Sequence, residues 1–263
     1  MAQSGNPLLD LSARPVIAHR GASSEAPENT LPAFELAARQ GADAFELDVR
    51  LTADGAPVVC HDATLDRTTA GSGPIRARTL AELRAVDAGV QFSRDGGATF
   101  PYRDAAVRIP TLGEVLWAFP GMPILVEIKE PEAQEPVRRV LVQEDAVARC
   151  VAASELTAAV GVFREPPFAS GASGPEIGAL YRAQLLRRRL PVPGYDLLSV
   201  PLRYRGLPVP TRRFVAAARS LGCPVHVWTV DEPATARRLW ARGVAGIVTN
   251  RPAAIAAARD ATS

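Results

Sequence analysis

The sequence of 263 residues contains few cysteines and no pattern that would pair them. Cys60, Cys150 and Cys223 are far apart and form no CxxC spacing, which argues against a disulfide framework and against a cysteine-ligated metal site. Each cysteine lies in or beside an apolar, strand-like run. We therefore predict buried thiols and a reducing compartment.

The chain also lacks an excess of charge of either sign, with 30 basic and 28 acidic residues and a net charge of +2. A nucleic-acid partner is not expected, because such proteins carry a clustered basic face. The short basic run 187–189 is interpreted as a solvated helix end.

Long hydrophobic runs are missing as well. No apolar stretch is long enough to span a bilayer, so no integral membrane segment is predicted. The first fifteen residues contain no basic region followed by an apolar one, and we predict no signal peptide. The expected location is cytoplasmic.

Strand-like and helix-like segments alternate along the chain, which predicts an α/β fold with a mostly parallel sheet. The strand-like runs are 16–19, 44–49, 57–61, 123–128, 149–153, 196–200, 224–230 and 245–249. One further short strand is possible near 168–170. The alternation alone does not distinguish a closed barrel from an open sheet.

The region from about 62 to 110 interrupts this alternation, because it is rich in glycine and aspartate and has no clear strand. We interpret it as an insertion after the second strand, on the rim of the fold. The length of the chain fits one domain covering residues 1–263, with this insertion inside it.

Carboxylates occupy one face of two predicted strands. Side chains alternate along a strand, so Glu46 and Asp48 share a face, and Glu127 shares a face with Lys129. Buried like charges need a cation. Three converging carboxylates would form an oxygen-rich site suited to one divalent cation, Mg²⁺ or Ca²⁺. The alternative is that these are ion-paired charges inside the fold.

His19 and His61 each close a predicted strand and precede a polar loop. Catalytic groups of α/β barrels come from such strand ends, and histidine suits acid–base chemistry near neutral pH. Together with Arg20 and Lys129 they describe a phosphoryl-transfer site. The remaining histidine, His226, has apolar neighbours and is interpreted as structural, although it remains a third candidate.

Several short motifs resemble the glycerophosphodiester phosphodiesterase family. They are HRG at 19–21, PENT at 27–30, ELD at 46–48, HD at 61–62, LDRTT at 65–69 and VEIK at 126–129. The resemblance covers about residues 15–255. Its specific motifs lie in the N-terminal half, and residues 130–195 match weakly.

This resemblance implies a TIM-type (β/α)₈ barrel with a small rim insertion. The implied reaction is the hydrolysis of a glycerophosphodiester, the small-molecule substrate, to an alcohol and sn-glycerol 3-phosphate. In the family, residues matching Glu46, Asp48 and Glu127 bind the divalent cation.

By the same resemblance, His19 and His61 form the acid–base pair, and Arg20 and Lys129 contact the phosphate. Trp228 ends an apolar strand and is a candidate apolar wall for the glycerol, with a place in the core as the alternative. The oligomeric state and the identity of the general acid stay open.

Two positions depart from the family pattern. The chain has Ser154-Glu155 where a Ser-Phe pair is common, and Thr249-Asn250 where Thr-Asp is common. These changes bear on substrate preference. Two alternative functions are a phospholipase D-like activity on lysophospholipids or sphingolipids and a non-catalytic barrel that binds phosphorylated ligands.

Overall fold

The computed structural model describes residues 5–261 of the chain. The strands of this part, in chain order, are β1 Val16–His19, β2 Ala44–Leu51, β3 Pro57–Val59, β4 Ile124–Ile128, β5 Cys150–Ala153, β6 Ala169–Ser170, β7 Leu198–Pro201, β8 Arg203–Tyr204, β9 Leu207–Pro208, β10 Val225–Trp228 and β11 Gly246–Thr249. The α-helices are α1 Leu31–Arg39, α2 Leu80–Leu83, α3 Leu112–Ala118, α4 Gln134–Gln143, α5 Gly174–Leu185, α6 Arg212–Ser220, α7 Pro233–Trp240 and α8 Pro252–Asp260.

Eight of the strands described within residues 5–261 run parallel in the order β6-β5-β4-β2-β1-β11-β10-β7. The two ends of this path meet, because Gly171 and Leu197 form a parallel bridge and the Ala172 N–H donates to the Leu197 carbonyl at 2.9 Å. The sheet is therefore a closed ring with helices outside. The predicted TIM-type (β/α)₈ barrel is confirmed.

Side-chain alternation on β2 decides which residues face the ring interior. Phe45, Leu47 and Val49 are fully buried and pack outward in one cluster with residues of α1 and α3. Phe45 meets Phe34 of α1 with ring centroids 5.1 Å apart. Since period-two alternation holds, Glu46 must project into the barrel.

Two assignments of strands change. The run 57–61 is not a barrel strand: β3 pairs antiparallel with β2, with Val59 opposite Val49, and forms a hairpin on the end of β2. The eighth barrel strand is instead β6, near the short strand considered at 168–170. A strand of two residues is too short for side-chain alternation to reveal it.

A short 3₁₀ helix, Pro7–Leu9, covers the amino-terminal end of the barrel. Leu8 is fully buried among barrel-interior side chains, and its carbonyl lies 2.8 Å from Nε2 of His226. His226 has no exposed surface. A side chain at Gly246 would begin 2.2 Å from the Nδ1 of His226, so the close packing requires glycine there. These contacts support the structural interpretation of His226.

The segment between β3 and α3 forms its own small apolar cluster, whose buried members include Leu65, Ile75, Leu83 and Val107. It contains a 3₁₀ turn and the short helix α2. All three cysteines are free and buried, as predicted. In the part of the chain that the structure describes, no helix has both the length and the apolar character needed to cross a membrane.

Candidate active site

Three carboxylates converge at the carboxyl end of the barrel strands. Glu46 and Asp48 of β2 and Glu127 of β4 offer oxygen atoms that all lie within 4.8 Å of one another. The strand register explains this, because Asp48 is paired with Glu127 and Glu46 with His19 of β1. The predicted convergence is therefore present.

Asp48 is fully buried and lies between two cations. Its Oδ2 is 3.1 Å from Nε of Arg20 and its Oδ1 is 2.8 Å from Nζ of Lys129. Asn29 donates its Nδ2–H to Oδ2 at 2.9 Å. Burial alone would raise the pKa of Asp48, but Lys129 and Arg20 outweigh it and hold that pKa below its ordinary value.

The other two carboxylates are less well compensated. Burial, together with the charges of Asp48 and Glu127, raises the pKa of Glu46 well above its ordinary value. Burial also raises the pKa of Glu127, although Lys129 opposes this from 2.8 Å. In this environment the three carboxylates resist ionising together.

The donor set fits a divalent cation. Oδ1 of Asp48 is buried and contacts the Lys129 ammonium group at 2.8 Å. A cation among the three carboxylates would remove the repulsion that raises the pKa of Glu46. Carboxylate oxygens are the ligands preferred by Mg²⁺ and Ca²⁺.

His19 is held by a residue from the neighbouring strand end. Its Nδ1 lies 2.7 Å from Oδ1 of Asn250, which follows β11. Asn250 in turn donates its Nδ2–H to Oδ2 of Asp231 at 2.8 Å. Because this fixes the amide orientation, Oδ1 accepts and Nδ1 of His19 carries the proton, so Nε2 is free and lies 4.0 Å from Glu46. Burial and Arg20 lower the pKa of His19.

His61 reaches the same mouth by a different route from the one expected. It does not end a barrel strand but follows β3, whose antiparallel course returns the chain to the level of Asp48, where the Cys60 N–H donates to the Asp48 carbonyl at 2.9 Å. The Nδ1 of His61 lies 2.7 Å from Oδ1 of Asp62. Asp62 also accepts from Nε of Arg67, the main reason why its pKa falls to about 2.

Glu28 links the two sides of the site. It accepts from Nη1 of Arg20 at 2.9 Å and from both Nη atoms of Arg67 at 2.8 and 2.7 Å. The chain Arg20–Glu28–Arg67–Asp62 therefore connects the predicted phosphate contact to His61. Sequence reasoning missed Glu28 and Arg67, although both lie within quoted motifs.

The turn after β1 depends on unusual backbone angles. Arg20 has φ of +57° and Gly21 has φ of +84°. A side chain at Gly21 would begin 2.6 Å from the backbone of Ala33, so only glycine fits. Asn29, just before the first helix, also has a positive φ of +58°, and its side chain binds Asp48. Thr30 occupies the cap position without a side-chain capping bond.

Comparison with known proteins agrees with this geometry. The glycerophosphoryl diester phosphodiesterase family matches residues 19–254, a range that begins at His19 and contains the whole site. The chain belongs to this family. It is therefore an enzyme, a phosphoric diester hydrolase.

Relatives and solved structures of the family cover nearly the whole chain. A glycerophosphodiester phosphodiesterase of Caldanaerobacter subterraneus is 35% identical over 90% of this chain and 94% of its own. An Oleispira antarctica phosphodiesterase, solved with its product sn-glycerol 3-phosphate, is 29% identical with a TM-score of 0.75, covering 94% of this chain and 97% of that one. A phosphodiesterase domain from Mycobacterium tuberculosis shares the fold, with 23% identity, a TM-score of 0.84 and coverage of 95% and 100%.

In this family member a cavity of about 660 Å³ opens at the site. The residues that line it include His19, Arg20, Glu46, His61, Glu127, Lys129 and Trp228. Ser154 donates its hydroxyl to the Ile128 carbonyl at 2.6 Å, so it supports the strand ends, whereas the exposed Glu155 lies at the cavity rim. All predicted site residues except the buried Asp48 thus border one cavity.

Proposed function

We propose that the enzyme hydrolyses glycerophosphodiesters to an alcohol and sn-glycerol 3-phosphate with the help of a divalent cation and two histidines. The observation that carries the proposal is the juxtaposition of a three-carboxylate cluster with His19, His61, Arg20 and Lys129 at one mouth. The product found in the Oleispira antarctica structure supports this substrate class.

Glu46, Asp48 and Glu127 would hold the cation, for which Mg²⁺ and Ca²⁺ are the candidates. When bound, it supplies positive charge against the phosphoryl oxygens. Arg20 is suited to the same group, because a guanidinium presents paired N–H donors to phosphate. Lys129 adds a point charge from the opposite side of Asp48.

The two histidines have different partners, which assigns them different roles. His19 donates to a neutral amide and keeps Nε2 free, so it can accept the proton of the attacking hydroxyl group. The Asp62 carboxylate lies against Nδ1 of His61 and orients its ring, so we assign His61 as the general acid that donates a proton to the leaving oxygen. The attacking hydroxyl belongs either to the glycerol of the substrate, giving a cyclic phosphate that water then opens, or to water directly.

A single assay series tests the function. The purified protein is given glycerophosphocholine with EDTA, and then with Mg²⁺, Ca²⁺ or other divalent cations in excess. We expect glycerol 3-phosphate to appear only when a cation is present. Asp48→Asn should abolish the activity, whereas Asp54→Asn, on the exposed turn after β2, should retain it. Undiminished hydrolysis in EDTA would contradict the metal-dependent proposal.

A further inference from the structure

Arg67 connects two parts of the site that belong to different structural units. Arg20 follows β1, a strand of the parallel ring, whereas His61 follows β3, the antiparallel strand outside the ring. Proton donation to the leaving oxygen requires the His61 ring to keep a fixed distance from the phosphate that Arg20 contacts. None of the roles proposed so far uses Arg67.

A tight loop at the start of the insertion carries Arg67. Leu65 and Thr69 are buried. The hydroxyl of Thr69 donates to the Leu65 carbonyl at 2.7 Å, and the Leu65 N–H donates to the Gly73 carbonyl at 3.0 Å. Arg67 lies between these two buried residues, and its own side chain is half exposed. The anchors on both sides therefore fix the point from which the Arg67 side chain extends.

The guanidinium group of Arg67 contacts two carboxylates at once. Its two Nη atoms donate to both oxygens of Glu28 at 2.8 and 2.7 Å, which makes a bidentate pair. Its Nε donates to Oδ2 of Asp62 at 2.5 Å. Because the N–H donors of arginine lie in one rigid plane, these contacts fix the position of one carboxylate relative to the other. A lysine ammonium group does not have this fork and cannot reproduce the arrangement.

Each of the two carboxylates also holds one residue of the site. Oδ1 of Asp62 lies 2.7 Å from Nδ1 of His61, and Oε1 of Glu28 accepts from Nη1 of Arg20 at 2.9 Å. Arg67 itself borders a separate cavity of about 230 Å³. Among the described residues, it is not one of those that line the catalytic cavity. An effect of Arg67 on the reaction must therefore pass through Asp62 and Glu28.

A contribution to the stability of the fold is a weak explanation for these contacts. The side chains of Arg67, Asp62 and Glu28 are 50%, 25% and 21% exposed. Ion pairs in contact with solvent contribute little to stability, because water screens the charges and ordering long side chains costs entropy. A bidentate, three-residue arrangement beside two site residues is better explained by the need for a fixed geometry.

We propose that Arg67 is a positioning residue that fixes the general acid His61 relative to the phosphate contact Arg20, through Asp62 on one side and Glu28 on the other. This inference rests on the proposed function for the roles of His61 and Arg20. The rim insertion thereby supplies part of the active-site architecture. Loss of the Asp62 contact should impair proton donation, and loss of the Glu28 contact should impair phosphate binding.

Two substrates separate these effects. Glycerophosphocholine needs a proton on its leaving alcohol, whereas the nitrophenyl ester of glycerol 3-phosphate does not. Asp62→Ala should lower kcat/KM about tenfold for glycerophosphocholine only, near the effect of losing one hydrogen bond to a charged group. Glu28→Ala should lower it for both substrates by one common factor, through a higher KM. Arg67→Met should combine both patterns, and Arg67→Lys, which keeps the charge without the fork, should not restore both.

Arg84→Met is the matched control. Arg84 also lies in the insertion, is 44% exposed and forms an ion pair of 2.9 Å with Glu114, which is not a residue of the site. Its replacement should leave both kcat/KM values at those of the wild type. If Arg67→Met behaves like this control, or lowers both values by one common factor, Arg67 does not position His61. If it lowers the value for glycerophosphocholine alone, Arg67 does not position Arg20. Each of these results would overturn the proposal.

Two measurements without turnover distinguish a failure of this inference from a failure of the proposed function. In calorimetry with excess Mg²⁺, sn-glycerol 3-phosphate should bind about tenfold more weakly to Arg67→Met and with unchanged Kd to Asp62→Ala. In NMR spectra, the imidazole C–H signals of His61, assigned with His61→Ala, should shift in Arg67→Met, whereas those of the buried His226 should stay in place.

If both changes occur but the wild type hydrolyses neither substrate, the contacts position the two residues as inferred and the proposed function is wrong. If either change is missing, the positioning role of Arg67 is wrong, even when the wild type is active.

Discussion

Asn250 accepts a hydrogen bond from His19, with its Oδ1 2.7 Å from the Nδ1 of the imidazole. His61 has a carboxylate, Asp62, at the same distance from its own Nδ1. The two histidines of one cavity therefore have partners of different charge. Asn250 and Asp62 each orient an imidazole, but only Asp62 brings a carboxylate to its histidine.

This asymmetry predicts how substrates with a good leaving group behave. His19→Ala and His61→Ala should each lower kcat for glycerophosphocholine on the order of 10²–10⁴-fold, the usual contribution of an acid or base. A nitrophenyl phosphodiester needs no general acid, so it should restore activity to His61→Ala and not to His19→Ala. Initial rates of both variants on both substrates provide the check. Rescue of His19→Ala alone would reverse the assignment.

Exchanging Asn250 and Asp231 tests the orientation of His19. The double variant Asn250→Asp with Asp231→Asn keeps the hydrogen bond between them but places the carboxylate against His19. The pKa of His19 should then rise, because an adjacent negative charge favours the imidazolium. The acidic limb of the pH profile of kcat/KM should move up by about one unit. The single variant Asn250→Asp places two carboxylates against each other and serves as the comparison. If the acidic limb of the double variant does not move, His19 is not the base.

The carboxylate cluster makes opposite predictions for two neutralising substitutions in EDTA. Glu46→Gln should stabilise the protein above about pH 5, since the pKa of Glu46 is raised by burial and by its neighbouring carboxylates. A carboxyl group with a raised pKa binds its proton more tightly in the folded protein than in the unfolded chain. Its ionisation therefore lowers the free energy of unfolding as the pH rises above the ordinary carboxyl pKa, and Glu46→Gln removes that loss.

Asp48→Asn should instead destabilise the protein, by about 3 kcal/mol, because it leaves Arg20 and Lys129 buried without their shared partner. The substitution also relieves repulsion among the carboxylates, but the loss of contact with those two cations outweighs this gain. Urea unfolding at pH 7.5 measures both variants, and excess Mg²⁺ or Ca²⁺ should stabilise only the wild type appreciably. If the two variants are equally stable, the charges of Arg20 and Lys129 are compensated by groups other than Asp48.

His226 predicts a loss of stability in mild acid. Burial lowers its pKa from 6.5 to about 4 in the folded protein. Between these values the unfolded chain binds the proton and the folded one does not, so stability falls as pH drops from 6.5 towards 4. The full effect is about 3 kcal/mol. His226→Gln, whose amide can donate to the Leu8 carbonyl without titrating, should show a shallower decline in unfolding free energy. If the unfolding free energies of the two proteins decline in parallel, the loss of stability in mild acid does not come from His226.

Local patterns in the sequence were sufficient to place the two carboxylates of β2 on one face of the strand. Alternation along a strand depends only on backbone geometry, so Glu46 and Asp48 had to share a face wherever the strand lay. Strand faces and strand ends also indicated Glu127, Lys129 and the two histidines, and the motif resemblance supplied their roles. The barrel brings these groups to one mouth.

Tertiary structure decided the partners of those groups. Asn250 reaches His19 only because β11 closes the barrel against β1, and Asn29 reaches Asp48 only because the turn after β1 adopts left-handed angles. Neither contact leaves a periodic signal, since the residues are 231 and 19 positions apart in the chain. The antiparallel course of β3 and the two-residue β6 were likewise set by pairing with neighbours rather than by their own composition. Strand faces follow from local backbone geometry, whereas contacts between distant residues depend on how the ring closes.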